Sequence, residues 1–162
     1  MVYCCILHPD DIKSGPLDSN YCLPATKSTL FKNCNVFDGV SKDLLMGCDV
    51  HVFGKKIAKI VPTGTVDFQM GEDDLVLDCE GRTLMPGMID VHWHTMLAEI
   101  DFGKMVTNDF QYASVIAIQT TKKLLLRGFT TVRDAGGNCY GIKLAVDEGI
   151  IDGPHIYPSG GT

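Results

Sequence analysis

The sequence predicts a mixed α/β chain in which a small β-sandwich layer gives way, near residue 86, to strands alternating with helices. Three observations carry that expectation. Before residue 86, short apolar runs recur at close spacing between Gly, Pro and Asp turn clusters, the pattern of small antiparallel strands. After it, a strand, a long helical stretch and a second strand follow within about forty residues, a βαβ unit whose strands run parallel. Between the two lies Pro86-Gly87-Met88-Ile89-Asp90-Val91-His92-Trp93-His94, a strand-like run with chemistry on one of its faces.

Residues 1–27 carry His8-Pro9-Asp10-Asp11, Ser14-Gly15-Pro16 and Leu23-Pro24, a density of breakers that predicts an irregular extension. His8, beside a proline, reads as solvated. From residue 29 the pattern changes, and 29–37 alternates well enough for a strand closed by Asp38-Gly39. Segments 49–53 and 56–61 flank Gly54-Lys55 as a hairpin, with Val50 and Val52 on one face and His51 on the other as a surface residue. Pro62-Thr63-Gly64 ends the hairpin, 71–74 is a polar loop, and 75–78 is a further strand stopping at the Glu80-Gly81-Arg82 turn. Residues 28–85 therefore form the β layer.

In the signature run, a period of two sends Ile89, Val91 and Trp93 to one side, expected to be buried. Asp90, His92 and His94 go to the other. Two imidazoles two residues apart on one strand face can converge on one cation, although a His-x-His triplet also occurs on solvated strands. A buried strand would need partners for these polar groups, and a metal supplies one. Residues 95–107 read as a loop whose Glu99, Asp101 and Lys104 are plain solvated charges. Asn108 and Gln111 form a capping-box pattern for a helix over 109–127 that stops at Gly128. Tyr112, Val115, Ile116, Gln119, Lys123 and Leu126 only partly follow one face of it, while Lys122, Lys123 and Arg127 suit its negative end. Residues 129–133 are the next strand. Asp134 closes it, with two roles open: cap of the following helix, or contact with a substrate. A second helix over 140–148, with Ile142, Ala145 and Val146 toward the sheet, and a third strand from His155 complete the pattern.

Composition narrows the function classes. With 14 basic and 20 acidic side chains the net charge is -6, the sequence pI is about 5.2, and no Lys/Arg run occurs, which disfavours phosphate backbones, so no nucleic-acid partner is expected. The 7 cysteines are an odd number without a CxxC pair, so reduced thiols in a cytoplasmic protein are expected. The first residues lack the build of a signal peptide, and no run reaches the ~18 apolar residues that span a bilayer. No membrane partner is expected.

The run from Pro86 to His94 resembles the signature of the metal-dependent amidohydrolase superfamily, Pro-Gly-hydrophobic-Ile-Asp-x-His-x-His, on the first strand of a (β/α)8 barrel. Leu126-Arg127-Gly128-Phe129-Thr130-Thr131-Val132-Arg133-Asp134-Ala135-Gly136-Gly137 looks like the second-strand region of its imidazolonepropionase-like and Xaa-Pro dipeptidase-like branch. Val76-Leu77-Asp78-Cys79-Glu80-Gly81-Arg82-Thr83 is similar to the run leading into the signature. The likeness covers about residues 29–162. It implies that 28–85 is the N-terminal part of a composite β-sandwich and that 86–162 is the first two to three βα units of a barrel that is incomplete, since a whole one takes about 250 residues. It implies a divalent metal, most simply Zn²⁺, held by His92 and His94, and hydrolysis of carbon–nitrogen bonds in small amides, peptides or cyclic amides. His155 stands where related sequences usually place Arg and is not read as a ligand. The remaining ligands and the catalytic aspartate of such enzymes come from later strands, so this chain alone is expected to be inactive, with no catalytic residue of its own. The alternative is a non-catalytic short product acting by association with other chains, its own copies included.

Overall fold

The computed structural model describes residues 3–5, 28–99 and 101–160, and the chain divides into two compact units, Met1–Pro86 and Gly87–Thr162. Most of the expected extension, His8 included, lies outside the described residues.

The first unit is a single six-stranded sheet of β1 (Tyr3–Cys5), β2 (Ser28–Val36), β3 (Leu45–Phe53), β4 (Lys56–Pro62), β5 (Leu75–Asp78) and β6 (Thr83–Pro86). Strand β2 is its spine. It pairs antiparallel with β3 on one side, and on the other runs parallel to β5 at 29–32 and then to β6 at 35–36. β3 and β4 form the expected hairpin, with Gly54 in the left-handed conformation its turn requires. The β layer expected here is, among the described residues, one hydrogen-bonded sheet; close spacing fixes turns, but not which strands pair. Two strands were not read from the sequence. β6 is only four residues long and runs up to Pro86, and β1 lies in the segment taken as irregular, antiparallel to β6.

Cys34, Val36, Cys48, Val50, Cys79 and Leu84 are the buried core of this unit, with Phe31, Val52 and Ile57 packed on it. The thiols act as small apolar side chains, buried as expected. At Asn33 the backbone turns left-handed, with φ of 53°, and the pairing of β2 with β3 slips. Buried Asp49 holds the bend: its carboxylate accepts from the Asn33 N–H at 2.9 Å, the Thr63 hydroxyl at 3.0 Å and the Gly64 N–H at 3.2 Å. Burial alone would raise its pKa, but these donors and the nearby Lys32 charge outweigh that and hold the carboxyl below its ordinary range. His51 is half-buried rather than on the surface, its Nε2 hydrogen-bonded to the Ser28 hydroxyl and its ring 5.2 Å from that of Phe68.

The second unit is a three-stranded parallel sheet in the order β7 (Met88–Trp93), β8 (Phe129–Asp134), β9 (His155–Pro158). Helices α1 (Phe102–Thr107) and α2 (Phe110–Leu126) connect β7 to β8, and α3 (Tyr140–Asp147) connects β8 to β9. Met96, Ala113, Ala117, Leu124, Val132, Cys139, Ile142 and Ile156 form its core, with Trp93, Phe129, Val146 and Ile151 packed against it.

Several expectations change here. Ile89 and Val91 are 64% and 66% exposed, and only Trp93 of that apolar face packs into the core. Alternation along β7 is as expected; what is lacking, among the described residues, is a layer over that part of the strand. The packed face of α2 is Ala113, Ala117, Thr120, Thr121 and Leu124, and the larger Tyr112, Val115, Ile118 and Leu126 point away. Small side chains let the helix lie close, and both threonine hydroxyls donate to carbonyls four residues back, at 2.9 and 2.6 Å. The N-cap is Asp109, accepting from the Tyr112 N–H at 3.0 Å. Asn108 instead closes α1, which was read as loop, by donating from Nδ2 to the Lys104 carbonyl at 2.8 Å. Gly87, the entry to β7, admits no side chain, because a Cβ there would stand 2.0 Å from the Thr130 hydroxyl on β8.

Candidate metal centre

In parallel α/β sheets ligands gather where the strands' carboxyl ends meet the following loops. Here that edge is stitched by backbone: the Ala135 N–H donates to the Trp93 carbonyl at 2.7 Å, and the Ser159 N–H to the Asp134 carbonyl at 3.1 Å. His94 stands at this edge just beyond β7. A tight turn begins on it, its carbonyl accepting from the Leu97 and Ala98 N–H groups at 3.0 and 2.9 Å.

The His92 and His94 rings lie side by side, centroids 5.3 Å apart and planes at 69°. His92 is exposed and its backbone N–H donates to Asp90 Oδ1 at 2.9 Å. His94 is half-buried, its Nδ1 3.1 Å from the Gly136 carbonyl. A carbonyl only accepts, so Nδ1 carries the proton and Nε2 keeps the lone pair that a metal needs.

Asp134 does not cap the helix that follows it. The helix that follows is capped at Cys139, without a side-chain cap, and Asp134 is fully buried with no oxygen facing solvent. Its Oδ2 accepts from the Thr95 N–H at 2.7 Å and its Oδ1 from the Gly136 N–H at 3.0 Å. It braces the loops after β7 and β8 against each other. Burial, and then the charge and hydrogen bond of Asp134, push the Cys139 thiol up to about 11. It remains protonated at neutral pH and is no thiolate ligand.

The other charges near this end are structural. Asp101 caps α1 by accepting from the Lys104 N–H at 3.1 Å, and Glu99 pairs with Lys123 at 2.7 Å. His155 is exposed on β9, its Nδ1 3.6 Å from Asp147. Sequence reasoning missed the Gly136 carbonyl: adjacent glycines at 136 and 137 permit close backbone approach, but do not say which side chain the backbone will meet.

Two neutral imidazoles are a donor pair suited to a divalent ion, and one of them is already set in the ligating tautomer. Among the described residues no group of three or more His, Cys, Asp or Glu side chains converges. The pair fits a metal as part of a larger ligand set.

The amidohydrolase family model matches residues 83–161, the stretch that carries both histidines and Asp134. Residues 83–161 belong to the amidohydrolase family. Members of that family are generally metal-dependent. The chain is 26% identical over 131 residues to an adenine deaminase of Ruegeria sp. (strain TM1040), covering 80% of this chain and 20% of that protein. A prolidase solved with N-methylphosphonate-L-proline is 33% identical with a TM-score of 0.70, covering 82% of this chain and 32% of that one. A Xaa-Pro dipeptidase with methionine in its active site is 25% identical with a TM-score of 0.66, covering 83% and 34%. The chain thus spans about a fifth of that curated relative and a third of the solved ones. No helix among the described residues is long and apolar enough to cross a membrane.

Proposed function

We propose that this chain supplies the opening, metal-binding strand of a metal-dependent hydrolase that acts on carbon–nitrogen bonds in small amides, peptides or cyclic amides. One observation carries the reading: the paired His92 and His94 rings at the carboxyl end of a parallel strand, with His94 Nδ1 bonded to the Gly136 carbonyl. A divalent ion, most simply Zn²⁺, supplies Lewis acidity and an activated water near neutral pH. His92 and His94 bind it as neutral imidazoles. Asp134 braces the loops that follow β7 and β8, the loops that carry Thr95 and Gly136 beside His94. Likeness to a prolidase and a Xaa-Pro dipeptidase favours amide bonds to small or cyclic amino acids.

Catalytic zinc takes three protein ligands, so the isolated chain is expected to bind metal weakly and hydrolyse nothing measurable. Dialysis against Zn²⁺ followed by elemental analysis should find far less than one ion per chain. Titration with Co²⁺, followed by its visible absorption, should show weak binding that His92→Ala or His94→Ala removes. Binding that survives the double substitution would remove the basis of the assignment. In a polypeptide continuing through the remaining barrel strands, the same substitutions should abolish hydrolysis of Xaa-Pro dipeptides and N-acyl amino acids.

A further inference from the structure

Asp134 is a fully buried carboxylate whose two oxygens are used by two backbone donors on different loops. One donor is the N–H of Thr95, the residue directly after His94. The other is the N–H of Gly136, whose own carbonyl is the partner of His94 Nδ1 at 3.1 Å. A Cβ placed on Gly136 would stand 3.7 Å from His94 Cε1, in van der Waals contact, so the loop lies close against the imidazole. One side chain on β8 therefore fixes His94 twice, through the backbone that follows it and through the acceptor of its ring proton.

We propose that Asp134 is a positioning residue that holds His94 as the Nδ1–H tautomer, with the Nε2 lone pair turned outward. The chemistry selects a carboxylate for this place. Two N–H groups arriving from separate loops need two acceptor oxygens, and an ionised carboxylate offers acceptors only. Asparagine would turn a donor toward one of the two N–H groups, leaving it unpartnered in a buried place, and the loop carrying it would move. If Gly136 moves, its carbonyl leaves Nδ1 and the imidazole is free to exchange tautomers. The consequence for metal affinity rests on the metal-binding reading of His94; the tautomer itself does not.

The test is long-range ¹H–¹⁵N correlation spectroscopy of the chain labelled at histidine, without metal and at pH 8.5, where histidine is ordinarily neutral. His94 is assigned by the signal lost in His94→Gln. The wild-type ring should show a pyrrole-like Nδ1 and a pyridine-like Nε2, one tautomer alone. In Asp134→Asn both nitrogens should shift toward intermediate values, while Ile142→Val, which loosens the core of the same unit and leaves both backbone donors to Asp134 in place, should keep the wild-type pattern. A wild-type ring protonated at Nε2, or an Asp134→Asn ring indistinguishable from wild type, overturns the proposal. Because the wild-type spectrum decides by itself, a variant that fails to fold does not shelter it. Since no metal is present, failure here is separate from failure of the Co²⁺ titration.

Discussion

At the scale of single residues, the buried carboxylates of Asp49 and Asp134 do comparable work in their two units: each accepts from backbone N–H groups of a bend or loop. Replacing Asp49 by Ala orphans the Asn33 and Gly64 N–H groups, at about 1–3 kcal/mol for each donor left buried, and chemical denaturation should show the loss. The Asp49 carboxyl is depressed in the folded chain, so its contribution is complete above the ordinary carboxylate pKa of about 3.9 and drains away as pH falls through the lower folded value. The stability gap between wild type and Asp49→Asn should therefore be constant from pH 7 to 5 and shrink below about pH 4; a gap that widens on acidification contradicts the assignment. Among the described glycines of the second unit, Gly87 has the least room for a side chain. Gly87→Ala drives a methyl into Thr130 and should cost at least about 3 kcal/mol, the upper range for overpacking, with part of the loss returned by Thr130→Gly in a double-mutant cycle.

At the scale of elements, α2 is the instructive one, because its largest apolar side chains are on the wrong side for an ordinary amphipathic helix. Ala117→Leu on the packed face should cost about 1–3 kcal/mol by overfilling the close approach to the sheet. Val115→Lys, at a position 54% exposed, should change stability by less than about 0.5 kcal/mol. Thermal unfolding of the two variants separates the packed face from the free one. The same helix shows how far the sequence could be read. Its existence was legible from Asp109 to the Gly128 stop, but not its face, since Ala and Thr are weak hydrophobic signals and the large residues advertised the opposite side. The hairpin and the three parallel strands were legible because turn glycines and alternation are local. The pairing of β2 with β5 and β6 was not, because it depends on which distant segment reaches an edge. Of the candidate site, the histidine pair was visible as a two-residue period. The buried state of Asp134 and the Gly136 carbonyl were not, because both arise from contacts across about forty residues of sequence.

At the scale of the whole molecule, the two units differ in how they use the strand. The first buries its apolar residues within a mixed six-stranded sheet, and its edge strand β4 carries Lys56, Lys59 and Pro62, side chains that discourage further pairing. The second leaves Ile89 and Val91 in water on the strand that also bears His92. Replacing both by Lys removes no buried area, so it should leave the melting temperature nearly unchanged and lower self-association measured by sedimentation; a large loss of stability would mean that these side chains are covered in solution. Their exposure also makes the chain sensitive to what is dissolved around it. Sulfate and other strongly hydrated anions raise the penalty for keeping hydrocarbon wet, so the chain should salt out early, and the strand that offers imidazoles on one side should be where precipitation begins on the other.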